Sequence, residues 1–249
     1  MIQDLHSHTY YSMDATGSPE ELVEAAVSGG IDVIGITDHN YWIGYGRPDF
    51  LTMPDAGAYN SSYGRNLRRY FDHIGLVREK YAGKIDVRRG IEICTHREGS
   101  WPLLLPENED ISFFDFCLIE NLDNETSITG GDVFSYAKRC GTEFVGIAHT
   151  DLFRFIDKTG YDPLDYFSEM AKNNIFWELN VNYDRTHGFH VHDYVDDFFS
   201  DYGKQETVRR SGVLVSIGFD NHVVGDYRPD RVREFNEKID RLGIKKPFE

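Results

Sequence analysis

Short apolar runs recur along the chain, separated by longer stretches in which apolar residues return every three or four positions. The runs are IQDLH (2–6), IDVIGIT (31–37), KIDVRRGIEI (84–93), FFDFCLIE (113–120), EFVGIAH (143–149), NIFWELN (174–180) and GVLVSIGF (212–219). Their length and their β-branched and aromatic content predict strands. The stretches 18–30, 63–83, 130–141, 163–174, 194–212 and 228–243 carry the helical period. The first is the best marked. Ser18 is placed as N-cap, Pro19 follows at the first helical position, Glu21 completes a capping box, and Gly29-Gly30 ends the helix. Strand–helix alternation of this kind predicts an α/β fold with a parallel sheet, open or closed.

The strand ends hold the unusual residues. The first run ends in His6-Ser7-His8 and the second in Asp38-His39. The third carries Glu92 and the fourth ends in Glu120-Asn121. The fifth ends in His149, the sixth in Glu178 and Asn180, and the last runs into Asp220-Asn221-His222. Each strand therefore delivers a metal-capable or acid–base side chain at its C-terminal end, where parallel α/β barrels build their sites. His6 and His8, two positions apart on a strand, point to one face. They form half a coordination sphere that needs partners from later strands.

Composition narrows the partners. The 249 residues suffice for one sizeable domain, read as 1–249, and no linker or repeat divides them. With 40% hydrophobic and 14% aromatic residues the chain is a folded globular protein. A formal charge of −16 repels nucleic-acid phosphates and anionic membranes, so a small-molecule partner is expected, with oligomeric state left open. Cys94, Cys117 and Cys140 are an odd set without framework spacing, which predicts reduced, buried thiols. With no signal peptide and no apolar run of membrane-spanning length, the expected location is the cytoplasm.

The ordered set DLHSHTYYSMDATGSPEEL, GITDHN, REKYAGKIDVRRGIEI, FVGIAHTD, WELN and VSIGFDNH resembles the PHP family, named for polymerase and histidinol phosphatase. The lead-in to Glu92 is most similar to the histidinol-phosphatase-like branch. The resemblance implies a distorted seven-stranded (β/α) barrel with two to three divalent metal ions (Zn, Mn or Fe) at the C-terminal ends of the strands. It implies that His6, His8, Glu92 and Asp220 hold a first ion. Glu92 then bridges to a second, which His149 also binds, and Asp14, His39 and His222 hold a third. In the family the fourth strand usually supplies a histidine to the second ion. Here FDFCLIENLDN has none, and the candidates for the vacancy are Glu120, His96 or a water.

Clustered divalent ions suit phosphate ester hydrolysis, because they lower the pKa of bound water and clamp the phosphate oxygens. The expected activity is hydrolysis of a small phosphomonoester by attack of metal-bound hydroxide on phosphorus, with L-histidinol phosphate as one candidate substrate. Glu92, Asp38 and His222 are the expected catalytic groups. Asp38 is read as orienting an imidazole, shuttling a proton, or capping a turn. Glu178 and Asn180 are read as supporting or structural. Arg97, Arg154 and Arg185 lie just beyond strand ends and are the candidates for binding phosphate. The loop with His187, His190 and His192 is read as solvent-facing, with metal ligation by its histidines as the alternative, and His73 is assigned to a helix surface. The long aromatic stretch 40–64 is a lid, a substrate wall or packing against the barrel. Two other classes compete: an amidohydrolase-type hydrolase of C–N bonds, and a non-catalytic metal-binding PHP module.

Overall fold

The computed structural model describes residues 1–45, 62–98 and 103–249. Most of the 40–64 stretch, expected to be a lid or wall, lies outside the described residues. Its beginning, Asn40–Tyr45, is a short helix, α2, and its end opens α3 (Tyr63–Lys80).

The strands are β1 (Gln3–Asp4), β2 (Val33–Ile36), β3 (Asp86–Arg89), β4 (Glu92–Cys94), β5 (Phe116–Glu120), β6 (Phe144–Ile147), β7 (Ile175–Asn180) and β8 (Val215–Gly218). They form two parallel sheets in sequence order, β1-β2-β3 and β4-β5-β6-β7-β8. The eighth strand comes from splitting KIDVRRGIEI, predicted as one strand. Its first half pairs with β2 and its second with β5. The change of partner falls at Gly90, where a Cβ would meet Phe116 and Thr37 side chains at 2.6 Å. Only a glycine lets the chain cross so closely there.

Backbone hydrogen bonds run between the sheets at both joins. Leu5 N–H donates to Ile217 O (3.0 Å), Asp220 N–H to His6 O (2.7 Å) and His8 N–H to Asn221 O (2.8 Å). At the other join, Gly90 N–H donates to Ile36 O (2.9 Å) and Glu92 N–H to Asp38 O (3.2 Å).

The remaining helices are α1 (Pro19–Ser28), α4 (Val133–Cys140), α5 (Leu152–Thr159), α6 (Pro163–Lys172), α7 (Asp193–Ser200), α8 (Tyr202–Ser211) and α9 (Pro229–Leu242). The capping box predicted for α1 is present, with Ser18 and Glu21 bonded reciprocally. The single helix expected over 194–212 breaks at Asp201, whose extended backbone ends α7 and whose carboxylate caps α8. Helix α5 was not expected; Asp151 caps it, directly after His149 of the fifth run and Thr150. No described helix is long and apolar enough to cross a membrane. The three cysteines are free and buried.

Burial on both faces explains why the strands read as apolar runs. On β5, Cys117 and Ile119 face the large cluster shared with the helices, while Phe116 and Leu118 join a second cluster with Leu5, Val33, Ala148 and Phe176. Two residues past Leu118, the same inner face carries Glu120. On β7 the inner face runs Phe176, Glu178, Asn180. The apolar inner cluster thus forms a floor at the N-terminal halves of the strands, beneath a polar group at their C-terminal ends.

Candidate metal centre

Strands β1, β4 and β8 bring four donors together. His6 Nε2 lies 3.0 Å from His8 Nε2, 3.2 Å from Glu92 Oε1 and 3.4 Å from Asp220 Oδ1. His8 Nε2 lies 3.4 Å from Glu92 Oε2 and 3.2 Å from Asp220 Oδ1. A tetrahedral ion with ligand bonds of about 2.0 Å separates its ligands by about 3.3 Å. His6, His8 and Glu92 thus stand close enough to share an ion, and Asp220 Oδ1 lies at such a separation from both histidines. All four residues are buried. Lone pairs so close repel one another unless positive charge sits among them, so the donor set fits a cation.

Each imidazole is held from behind. His6 Nδ1–H donates to Glu178 Oε1 at 2.7 Å, leaving the Nε2 lone pair for the centre. Glu178 Oε2 accepts the His149 backbone N–H at 2.6 Å. Gly218 makes room for this pair, since a Cβ there would stand 1.9 Å from Glu178 Oε1 and 2.7 Å from His6 Cβ. His8 Nδ1 meets Ser12 Oγ at 3.3 Å, and Ser12 Oγ donates to Asp38 Oδ1 at 2.8 Å. Asp38 also accepts from the N–H groups of Thr9 (2.7 Å) and Ser12 (3.0 Å) and from Thr9 Oγ1 (2.8 Å). Its carboxylate is fully buried and turned to the 9–12 turn, one hydroxyl away from His8. That geometry favours orientation of an imidazole over delivery of a proton to a leaving group.

Around the four-donor set lie the other expected ligands. Glu92 Oε1 is 3.3 Å from His149 Nε2, and Glu92 Oε2 is 2.9 Å from His39 Nδ1. Glu92 is thus central to both sides. His39 Nε2 faces Asp14 Oδ2 at 3.5 Å, and His222 Nε2 faces the same oxygen at 3.9 Å. Glu120 Oε1 lies 3.5 Å from His39 Nδ1, while Asn121 Nδ2–H donates to Glu120 Oε2 at 2.9 Å. Glu92 Oε2, Glu120 Oε1 and His39 Nδ1 are buried and make no hydrogen bond. His39 Nδ1 stands within ion-pair distance of both oxygens, and a cation beside the two carboxylates would satisfy their remaining acceptor capacity. Glu120 thus points inward at the strand end where the sequence has no histidine. His96 instead meets Thr126 on the rim.

Proton affinities reflect this crowding. Burial, helped by His222 and His39, pushes His8 down to about 3, so its ring is neutral, the form that ligates metal. Burial also opposes charge on His6, but Asp220, Glu178 and Glu92 overcome it and raise it well above its ordinary value. Glu92 and Asp220, despite burial, are held well below the carboxylate range, with His6 the leading positive partner of each. Burial raises Asp38 to about 6 against its four hydrogen bonds. Three residues at strand ends adopt left-handed backbone: Asn121 (φ 60°), His149 (φ 27°) and Asp220 (φ 57°). Non-glycine residues hold such angles only where surrounding contacts impose them.

The arginines stand apart. Arg97 and Arg154 are exposed and make no ion pair with another described residue, and Arg185 reaches Asp226 at 3.6 Å. None contacts the cluster. His73, assigned to a helix surface, is half-buried and bonds Tyr11 OH through Nδ1 at 3.0 Å. His187, assigned to solvent, lies with Nε2 3.3 Å from Asp220 Oδ2. The signal that could have found it is Asp184, three residues earlier, at the spacing of a side-chain-capped turn.

This assembly of histidines and acids at parallel strand ends is that of the PHP domain family, which matches residues 4–230; the chain belongs to that family. Two proteins of known description carry the likeness further. Over 96 residues the chain is 31% identical to a probable histidinol-phosphatase of Deinococcus radiodurans, in a stretch covering 37% of this chain and 32% of the relative. The chain thus matches about a third of that protein's length. A crystal structure of histidinol phosphate phosphatase from Lactococcus lactis, complexed with zinc, L-histidinol and phosphate, superposes with a TM-score of 0.54. It shares 15% identity, over 98% of this chain and 94% of its own, and so shows a common fold. These relatives lie on the histidinol-phosphatase side expected from the sequence.

Proposed function

We propose that the chain is a divalent-metal-dependent hydrolase of small phosphomonoesters, with L-histidinol phosphate as the leading candidate substrate. The observation that carries this reading is the buried set of His6, His8, Glu92 and Asp220, in which each histidine Nε2 lies 3.0–3.4 Å from the other and from an oxygen of each acid. We read the two joined sheets as a distorted (β/α) barrel and residues 1–249 as one domain. The fit of the donor set supports His6, His8, Glu92 and Asp220 as one ligand group and Asp14, His39 and His222 as another. Glu92, His149 and Glu120 form the group between them.

Divalent ions bound there supply Lewis acidity, neutralising phosphate charge and acidifying water. The protein's own groups do the rest. Glu178 fixes the tautomer of His6. Asp38, acting through Ser12, fixes the ring of His8. Glu92 ties the two sides together, since its two oxygens face different imidazoles. The apolar floor of Phe116, Leu118 and Phe176 excludes water from below and strengthens every charge interaction above it. His222 is buried with Nε2 facing Asp14, and we assign it a catalytic part through that ligand group. Arg97, Arg154 and Arg185 remain rim candidates for a phosphate arriving from solvent. Three buried free thiols accord with a cytoplasmic setting.

The test is hydrolysis by protein loaded separately with Mn, Zn and Fe(II). L-histidinol phosphate and p-nitrophenyl phosphate would be compared with bis-p-nitrophenyl phosphate. Cleavage of the monoesters at rates well above the diester supports the reading. Equal rates on the diester, or no cleavage of any ester by metal-loaded protein, overturn it.

A further inference from the structure

The loop between β7 and α7 carries a histidine built like a ligand. Asp184 is 1% exposed, and its Oδ1 accepts both the backbone N–H of His187 (2.9 Å) and its ring Nδ1–H (2.7 Å). A ring proton is thereby fixed on Nδ1, and Nε2 is the nitrogen left to meet a proton or a cation. That nitrogen faces Asp220 Oδ2 at 3.3 Å. The construction repeats that of His6, whose Nδ1 is held by buried Glu178 at the same 2.7 Å while Nε2 faces the centre. A buried carboxylate behind an imidazole is the support that metal-binding histidines recurrently have.

Asp220 consequently has two working sides. Its Oδ1 belongs with His6 and His8, and its Oδ2 faces His187 and accepts from Asn180 Nδ2 at 3.2 Å. The His187 ring stands edge-on to His222, with centroids 5.1 Å apart. His187, Asp220 and His222 each offer a donor atom within 4.8 Å of the others. Without a cation, a proton on Nε2 makes this contact an ion pair, and, against burial, Asp184 and Asp220 together hold His187 up to about 10; a cation in that proton's place would meet the same two atoms. The same separation suits two ligands of one ion.

We propose that His187 is a further ligand of the metal centre, delivered by the β7–α7 loop and fixed in its tautomer by Asp184. Asp220 then bridges the ion of the four-donor set and an ion that His187 holds. This rests on the reading of the site as a divalent-metal centre. The cation is one that takes mixed imidazole and carboxylate ligands, such as Zn(II), Mn(II), Fe(II) or Co(II). Asp184 is a positioning residue, since it acts only through His187.

Metal binding itself is the readout. The full chain, His187→Ala, His187→Gln and Asp184→Asn would be stripped with chelator and titrated with cobalt(II). Bound cobalt per chain, affinity by chelator competition and the visible d–d spectrum would be recorded, and circular dichroism would establish that each metal-free variant is folded. Both His187 variants should lose at least tenfold in affinity for one cobalt ion and change the spectrum, and imidazole added to His187→Ala should restore it. Asp184→Asn should weaken the same ion by about 10–100-fold, the usual effect of removing a partner behind a ligand. If wild-type protein binds cobalt and all variants match it in stoichiometry, affinity and spectrum, His187 is an ion-pair partner only and the inference fails. If wild-type protein takes up no cobalt, the metal-centre reading fails with it.

Discussion

Glu178 offers the sharpest test of how the centre is held. It makes two acceptor contacts, one to the His6 ring N–H at 2.7 Å and one to the His149 backbone N–H at 2.6 Å, and it is 1% exposed. Replacing it with Gln keeps the shape but turns one acceptor into a donor. The backbone N–H cannot adapt, so the amide oxygen stays with His149 and the NH2 turns to His6. His6 must then accept at Nδ1 and carry its proton on Nε2. That atom is 3.0 Å from His8 Nε2 and 3.2 Å from Glu92 Oε1, so the proton points where a ligand lone pair is needed. Glu178→Gln should therefore weaken metal binding by about 10–100-fold, equivalent to about 1.4–2.8 kcal/mol. The metal-free protein should lose much less stability, because both contacts persist in altered form. Competition against a chromophoric chelator gives the affinity, and urea denaturation of the stripped protein gives the stability. Unchanged affinity in a folded variant would refute the tautomer argument. An equal loss of stability without metal would show that Glu178 serves packing instead.

Glu92→Ala should lower metal content more than any other single acid substitution and abolish hydrolysis, since its two oxygens face His6 and His149 on one side and His8 and His39 on the other; elemental analysis and turnover check this. Glu120→His should shift preference from Mn towards Zn, because an imidazole replaces a hard oxygen donor beside His39; the readout is the ratio of Mn to Zn affinities, and an unchanged ratio would mean that Glu120 takes no part. Asp4 is buried and its carboxyl is raised to about 6, burial outweighing its bonds to the Phe219 and His6 N–H groups. A raised carboxyl favours the folded state below its unfolded value of about 3.9 and loses that contribution as pH climbs through about 6. Stripped wild-type protein should thus lose about 2 kcal/mol relative to Asp4→Asn between pH 4 and pH 7, read from urea midpoints; parallel pH profiles would contradict it.

Much of this was written in the chain's alternation. Phe116, Leu118 and Glu120 share one strand face by period two, so an inward Glu120 follows once Phe116 and Leu118 are known to be inside. His6, His8, Glu92 and Asp220 could be named because strand ends are fixed by the strands before them. What the pattern did not convey depends on contacts between distant segments. The partner change at Gly90 is set by Phe116, 26 residues later, and a continuous apolar run does not mark it. For Asp38 the sequence left three roles open, orienting an imidazole, shuttling a proton or capping a turn, because the bonds of its carboxylate to the 9–12 turn join residues 29 and 26 positions apart. His187 was left to solvent because loop position is decided by Asp184, a side-chain bond that no periodicity encodes.

The pairing of β1 beside β8 has a consequence for how the protein comes into being. Asp4 and Phe219, joined by a hydrogen bond, are 215 positions apart in the chain. A ribosome adding about 5–20 residues per second leaves the first strand waiting on the order of 10–40 s for its neighbour. During that time His6 and His8 are already outside the exit tunnel, while Asp220 has not been made. A cation captured by the nascent chain meets only a loose pair of imidazoles and can exchange freely. Retention begins when the last strand docks, so stable loading reports completion of the fold, and metal choice is made by the finished molecule and the ions around it at that moment.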